Sequence, residues 1–574
     1  MSVSSPSPPP WVTKRDGRLV PFEADKISRA LFAATESLGR PDAFLARELT
    51  DGVLHFLAAE TDGTTPTTAQ VRELVIKVVR ELGQPALAEA FARHTRPPVA
   101  PRMVEEQPAA TETVAVPLVD PPSAFAQSCL RAYTLRRVFA RDLVSAQGDG
   151  LLTLTGLETP LELAGCVLGP TDAGPLEAVV QARIFAGSLV VVDGPEHVLA
   201  RISRGDTAVA EYVRELALGL RATGLSGVVN LNCAVPPPWA GELAEGPLFA
   251  AQRQAPASAH LARLADALLD ALRETGLPSG RLRIDWHLAE RDFLPGAEAR
   301  LLRVARLALE GGAMAFVFDR LRRAVLLAEG IDRTHPAVLL TVGLHLPQLA
   351  DQPGVSGDPA RFLQKLGSLA RLALSAAVQK REFLRRHSED RPDMTRGFLL
   401  SRARLVAAPV GLESVARAFT GRGLCAGKPA VDFARQVVQQ LRDVLRQDGR
   451  LCLMETCLDA PPLRFGMEML DAATAAGQGK PTAEGQTSLS DQAAGLTAWD
   501  TQAEVKGQLR SAGMLHAVAE MGTATVFLPE EPAATAEQLA EWLRWAWEQT
   551  EGGRLRFLRT AAVHQQLTLG TMAV

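Results

Sequence analysis

The sequence predicts an α/β protein in two parts, a small hairpin-and-helix module at the N-terminus and a large α/β remainder. Three observations predict it. An Asp-Gly turn between two short β-prone arms leads into four amphipathic helical stretches within residues of about 11–96. Residues 97–122, PPVAPRMVEEQPAATETVAVPLVDPP, are Pro-rich without apolar period and read as a linker. Beyond them, helical stretches alternate with short apolar runs towards the C-terminus, as in strands covered by helices. A chain of 574 residues with 47% apolar and 22% charged content has material for several domains with sizeable cores.

The net charge of −4 gives no general electrostatic reason to bind nucleic acid or an anionic membrane. No apolar run reaches the roughly 20 residues that span a bilayer. The opening MSVSSPSPPP lacks a basic region followed by an apolar one, so residues 1–10 are expected to be a disordered lead and not a secretory signal. The six cysteines are scattered and form no CxxC pair, unlike a disulfide framework or a zinc site. A reduced, cytoplasmic setting follows as the expectation.

Each element of the module follows from its residues. Val12–Val20 is a hairpin with Asp16-Gly17 at the positive-φ positions of its turn. A helix from about Ala24 carries Ile27, Ala30, Leu31, Ala34 and Leu38 on one face and stops at Gly39. A second starts with Pro41 in its first turn and buries Phe44, Leu45, Leu49, Val53, Leu54 and Leu57. Thr67 or Thr68 caps a third, which carries Val71, Leu74, Val75 and Val78 to Gly83. A fourth runs from about Pro85 through Leu87, Ala90 and Phe91. Lys14, Arg15 and Lys26 gather positive charge near the hairpin and the first helix start, which suits a polyphosphate. Three such cations also fit an ordinary solvated basic face.

The order of residues goes further. VTKRDGRLVPFEADKISRAL, with PTTAQVRELVIKVVRELGQPALAEAFARH, resembles the ATP-cone of ribonucleotide reductases and of their transcriptional repressor. The resemblance implies a β-hairpin lid on a four-helix bundle over residues 11–96, binding ATP or dATP as an allosteric ligand. It assigns nucleotide contacts to Val12, Lys14, Arg15, Lys26, Thr68 and Arg72. Arg72 stands where some cones carry His and Glu23 where some carry Asn, so the preference between ATP and dATP stays open.

The remainder carries collinear fragments similar to the class III anaerobic ribonucleoside-triphosphate reductase. They are RRVFARDLVSAQGDGLLTLTGLETPLELAGC, VVNLNCAVPPPW with RLRIDWHL, LLTVGLHLPQLA, PVGLESVARAFTGRG, LCLMETCLDAPPLRFGMEMLD and AEVKGQLRSAGMLHAVAEMG. The implied architecture over 123–574 is the ten-stranded α/β barrel of the ribonucleotide reductase and glycyl-radical type. That family's reaction needs a thiyl on a finger loop inside the barrel, a glycyl radical in an Arg-x-x-Gly-Tyr motif and a four-Cys zinc site. Here no cysteine lies between GGAMAFVFD and LLTVGLHLPQLA, none follows Cys457, and Gly570 sits in an apolar tail without Arg or Tyr. The family's His-Asp reads Thr155-Gly156 and its Asn reads His345. A residue that cannot carry a radical cannot stand in for one that does.

Cys166 matches the family's second active-site Cys, as a surviving thiol or as a buried, inert one beside Leu163 and Val167. Glu413 and Glu455 match family positions, as functional or structural carboxylates. His287 reads as a base, a ligand or a satisfied core histidine. No GxxxxGK[ST], HExxH or GxSxG motif is present. The expectation is a catalytically degenerate reductase homologue, with no catalytic or metal-binding residues. It responds to an adenine nucleotide as a regulator or scaffold, through nucleotide-dependent homo-oligomerisation and without zinc, glycyl radical, membrane or nucleic acid. The alternative is an active reductase-type subunit that takes its radical from a partner chain, which requires a barrel thiol such as Cys166 or Cys233 facing a cavity.

Overall fold

A computed structural model describes residues 9–14, 17–61, 65–95, 122–168, 174–202, 206–237, 258–277, 281–311, 314–320, 325–387, 398–460, 494–500 and 503–559. Arg15, the linker before residue 122, the run 461–493 and the tail with Gly570 lie outside them. The chain divides into two compact units, residues 1–152 and 153–574.

The first unit opens with β1 (Trp11–Thr13) and β2 (Leu19–Pro21), antiparallel with Val12 opposite Val20. The helices α1 (Ala24–Ser37), α2 (Ala43–Thr61), α3 (Thr68–Glu81) and α4 (Pro85–His94) follow. Gly39 and Gly83, at φ +73° and +81°, end α1 and α3 in a conformation that costs other residues steric strain. Thr67 caps α3 in a complete capping box with Gln70. The helix starting at residue 43 begins two residues later than Pro41 predicts, because the Asp42 carboxylate accepts from Leu45 N and sets the cap there. Ile27, Leu31, Leu49, Val53, Val75, Val78 and Phe91 are buried as predicted, whereas Leu38 falls beyond the last turn of α1 and is 42% exposed. Helices Pro122–Arg137 and Arg141–Gly148 also belong to this unit.

The strands of the second unit are β3 (Leu152–Leu154), β4 (Leu163–Val167), β5 (Ala186–Asp193), β6 (Ser226–Leu231), β7 (Leu282–Leu288), β8 (Met314–Phe318), β9 (Leu326–Ala328), β10 (Ile331–Asp332), β11 (Ala337–His345), β12 (Ala403–Val410), β13 (Thr456–Leu458), β14 (Thr523–Leu528) and β15 (Arg554–Arg559). Ten pair in the order β13-β12-β11-β4-β5-β6-β7-β8-β15-β14, and β3 adds to β11. β4 to β8 run parallel, and β11 to β13 with β14 and β15 run the other way. The two antiparallel seams are β4–β11 and β8–β15. The strands are buried on both faces, as expected of parallel strands under crossover helices.

The ends of the path are joined by side-chain and backbone hydrogen bonds. Asp459, just after β13, accepts from Thr523 N at the start of β14 at 3.0 Å. Gly495 N donates to Pro409 O at the end of β12, and Thr525 N to Thr497 Oγ1. The sheet thus closes as a barrel.

Candidate nucleotide site and barrel interior

At the first unit's hairpin, Thr13 N donates to Pro66 O at 2.9 Å, and Thr13 bridges Thr67 in parallel. This ties β1 to the start of α3. The chain runs directly from β2 into α1, and α1 and α3 alternate with α2 and α4 through short connections. Both odd-numbered helices therefore start at the hairpin end, where their N–H groups and dipoles favour an anion.

The structure gathers Val12, Lys14 and Thr68 at this junction. Val12 is buried in β1, Lys14 is exposed just past it, and Thr68 is half-buried at the first turn of α3. Lys26 lies in the first turn of α1, with its ammonium 2.8 Å from Glu23 Oε1 and its side chain 63% exposed. Arg72 is anchored within the bundle: Nε donates to Thr95 Oγ1 and Nη2 to Ala92 O, both at 2.8 Å, at the end of α4. Arg15 lies outside the described residues. Arg47, a residue the helical periodicity passes over, is 5% exposed and pairs with Asp25 of α1 at 2.7 Å. An arginine on an otherwise apolar face of α2 was the available signal.

The segment between β8 and β11 is a hairpin, β9–β10, with Gly330 at φ +73° in its turn. Leu327, Ala328 and Ile331 pack against Leu189 and Val191 of β5, Val228 of β6, Val338 of β11 and Val406 of β12. A hairpin that touches strands of both halves lies inside the ring. It fills the interior with aliphatic side chains.

Charged residues complete this interior. The alternation in RLRIDWHL puts Arg283, Asp285 and His287 on one face of β7 and Ile284, Trp286 and Leu288 on the other. Arg283 clamps Glu329, at the hairpin turn, with Nη1 and Nη2 at 2.6 and 2.7 Å. Arg554 of β15, 1% exposed, holds Asp285 through Nε and Nη2 and reaches Glu329 with Nη1 at 2.9 Å. Burial opposes charge on Glu329, but the two guanidiniums outweigh it and hold its carboxyl well below the ordinary range. Arg404 donates to Gly330 O, and Asp459 accepts from Gly330 N at 3.0 Å. Burial, and then the nearby Glu329, push Asp459 up to about 6.

His287 is a satisfied core histidine. Nδ1 lies 2.8 Å from Asp319 Oδ1 and Nε2 2.8 Å from Asn230 Oδ1. Asn230 Nδ2 donates to Val192 O, which fixes its amide with the oxygen towards the ring. In that orientation both ring nitrogens face acceptor oxygens; burial disfavours the charged ring, and Asp319 raises its pKa despite it.

Cys166 on β4 is 1% exposed, and burial pushes its thiol up to about 12, the state of an inert core cysteine. Glu413 is an anchor, with its carboxylate accepting from Leu424 N and from Arg417. Glu455 is exposed, with His335 Nε2 3.9 Å away. His345 is buried against Thr153 Oγ1 at 2.8 Å, and burial lowers it to about 4. Cys233, just past β6, is 4% exposed and lines a cavity; its Sγ lies 3.8 Å from Asp193 Oδ1, and Arg333 clamps Asp193.

Residues 10–96 match the family model of the ATP cone domain. The second comparison is with solved structures. The anaerobic ribonucleotide reductase from Thermotoga maritima in complex with dATP and CTP is 13% identical, with a TM-score of 0.58 over 76% of this chain and 83% of that one. The same enzyme with citrate in the active site gives 14% and 0.57, over 76% and 91% of the two chains. With dATP in its specificity site it gives 13% and 0.57, over 76% and 85%. No curated protein matches by sequence. The chain thus carries an N-terminal ATP cone followed by a large, parallel-rich sheet with the fold of anaerobic ribonucleotide reductase. Among the described residues, no helix is long and apolar enough to cross a membrane.

Proposed function

We propose that this chain is a nucleotide-responsive regulatory or scaffold protein, in which the cone binds ATP or dATP and the barrel no longer performs reductase chemistry. The observation that carries this reading is the β9–β10 hairpin. It occupies the barrel interior with Leu327, Ala328, Glu329 and Ile331, and Glu329 is locked between Arg283 and Arg554. A thiyl radical needs a thiol there, and an ionised carboxylate held by two guanidiniums cannot supply one. The cone's ligand acts by favouring one assembly of the chain over another, which makes nucleotide-dependent homo-oligomerisation its readout. The setting is the cytoplasm, without nucleic acid, zinc or glycyl radical.

In the cone, Lys14, Arg15 and Lys26 hold the phosphates, with Val12 and Thr68 beside the nucleotide and Arg72 at the neighbouring end of α4. Titration calorimetry of the full chain with ATP and with dATP tests this. Micromolar or tighter binding, lost in Lys14→Ala and Lys26→Ala, is expected, together with a change of mass in light scattering. Absence of binding to both nucleotides sinks the reading.

A second reading is an active reductase-type subunit with a radical supplied by a partner chain. One observation favours it: Cys233 is a barrel thiol that lines a cavity. Turnover in an anaerobic reductase assay with an activating enzyme, abolished in Cys233→Ser, would replace the first reading with this one.

A further inference from the structure

We infer that Asp459 is a proton-loaded latch on the interior hairpin. Its neutral carboxyl joins the β9–β10 turn to the β13–β14 seam, and loss of the proton as pH climbs loosens both together. The device belongs to the barrel alone, so it stands or falls separately from nucleotide binding by the cone.

Asp459 directly follows β13 and is 1% exposed. Its Oδ1 accepts from Ala460 N at 2.8 Å and from Thr523 N at 3.0 Å. Its Oδ2 accepts from Gly330 N at 3.0 Å and lies 3.4 Å from Thr523 Oγ1. One side chain thus gathers the hairpin turn, the end of β13 and the start of β14. The turn has little room to shift, because Val406 Cγ2 crowds Gly330 and Arg404 holds its carbonyl. A buried N–H that loses its acceptor is costly, so the Asp459 contacts and the seating of the hairpin form one equilibrium.

The charges around this carboxyl are unevenly shared. Glu329, beside Gly330 in the turn, is held by Arg283 of β7 and Arg554 of β15. Asp285 of β7 takes the other two bonds of Arg554. Asp332 of β10 lies 3.0 Å from Arg404 of β12 and 3.2 Å from His335. Arg556 of β15 sits among Arg283, Arg554, Glu329 and Asp285. Cys457 of β13 is a thiol that burial keeps neutral, at about 12. Among the described residues, Asp459 is the one carboxyl of this group with no cation in ion-pair reach.

An anion at that position is buried beside the fixed negative charge of Glu329, with neutral donors as its partners. Burial, and then Glu329, push the carboxyl up to about 6, against the pull of the Gly330 and Ala460 N–H groups and of Arg554. Two carboxyls flanking one glycine are thereby driven apart, Glu329 staying ionised and Asp459 keeping its proton until near that pH. The neutral acid fits the same partners. Oδ1, as the carbonyl, accepts both N–H groups, while Oδ2, as the hydroxyl, accepts from Gly330 N and directs its proton to Thr523 Oγ1.

The direction of the pH effect follows from linkage. When the hairpin leaves its seat, Asp459 meets water and returns towards its ordinary 3.8. The seated form therefore binds the proton more tightly than the released one, and protons favour seating. Seating is strongest below 3.8, weakens as pH rises from there to about 6, and levels off beyond. Between about pH 5 and about pH 7.5 the released population grows about tenfold.

Hydrogen exchange of the full chain across that range, divided by the intrinsic chemical rate, tests the latch. Protection of residues 326–332 and of 523–528 should fall together by about tenfold, while residues 68–81 in the cone keep theirs. Asp459→Asn removes the titration. Its amide offers one acceptor oxygen, so a donor faces either the Gly330 or the Thr523 N–H, and protection of both segments should be low and level with pH. The wild-type profile decides by itself if that variant does not fold. Protection that stays level or rises with pH in the wild type, a fall confined to one segment, or a fall that survives in Asp459→Asn overturns the proposal.

Discussion

Replacing Glu329 by glutamine is the sharpest probe of the barrel interior. The substitution keeps volume and shape but removes the charge shared by the buried Arg554 and the half-buried Arg283. In the native chain Arg283 makes two bonds to this carboxylate, at 2.6 and 2.7 Å, and Arg554 adds a third at 2.9 Å. A neutral amide accepts through one oxygen only. One of the paired Arg283 contacts becomes a donor facing a donor, and two guanidiniums are left with the single carboxylate of Asp285. Removing one partner of a buried ion pair costs about 3–5 kcal/mol, because the remaining charge stays out of water. A control such as Arg303→Ala, which breaks solvent-screened pairs with Asp270 and Asp266, is worth about 0–1 kcal/mol. Denaturant unfolding of both variants measures the difference, with hydrogen exchange at residues 326–332 as a local readout that needs no two-state assumption. The pH dependence follows from the same group. Its carboxyl is depressed below the ordinary 4.5, so its stabilisation is present above that value and is lost as pH falls through the folded one. A loss below about 1 kcal/mol, with unchanged exchange in the hairpin, would refute the idea that this charge cluster holds the plug in place.

Three further outcomes are expected. Gly330→Ala places a Cβ onto Val406 Cγ2 at a position with φ +73°, and the two penalties together should lower stability by about 2–4 kcal/mol, read as a fall in the unfolding midpoint. Alkylation of the native protein near pH 8, read by mass spectrometry, should label the exposed Cys129 and Cys452 and spare Cys166, whose buried thiol stands at about 12; rapid labelling of Cys166 counts against an inert core. His287 is raised above the ordinary 6.5, so its contribution to stability is complete below that value and declines as pH climbs through the folded one; His287→Gln should flatten that part of the stability–pH curve.

What could be read from the residues follows their physics. The cone was legible because its helices are amphipathic and punctuated: Gly39 stops α1, Thr67 starts α3 and Gly83 stops it, and the apolar spacing marks one face. The barrel strands in VVNLNC and LLTVGLHL were visible through the family resemblance, as apolar runs that crossover helices cover. The plug was not legible. LLAEGI looks like a loop with a stray acid, since the partners that make Glu329 tolerable stand 46 and 225 residues away in sequence. Charges alternating along RLRIDWHL and RLRFLR were the available signal for a polar lumen, since an outward-facing strand of that kind would need solvent on one side. Only His287 was singled out from them, and its two ring contacts bear out the core reading. Cys233 and Glu196 could not be linked, because nothing local to either says that a backbone N–H joins them.

The anchoring of Arg72 has a consequence for how the cone can signal. The residue that the family resemblance places beside the nucleotide also fastens the C-terminal end of α4, through Thr95 and the carbonyl of Ala92, where the chain leaves the bundle. A phosphate that takes the Nε and Nη2 edge of this guanidinium must outcompete those two bonds, each worth about 1.5–3 kcal/mol when the donor is charged. Ligand capture and tethering of the exit are then rival uses of one side chain. Occupancy at the hairpin end would be reported directly at the point where the domain hands the chain onward.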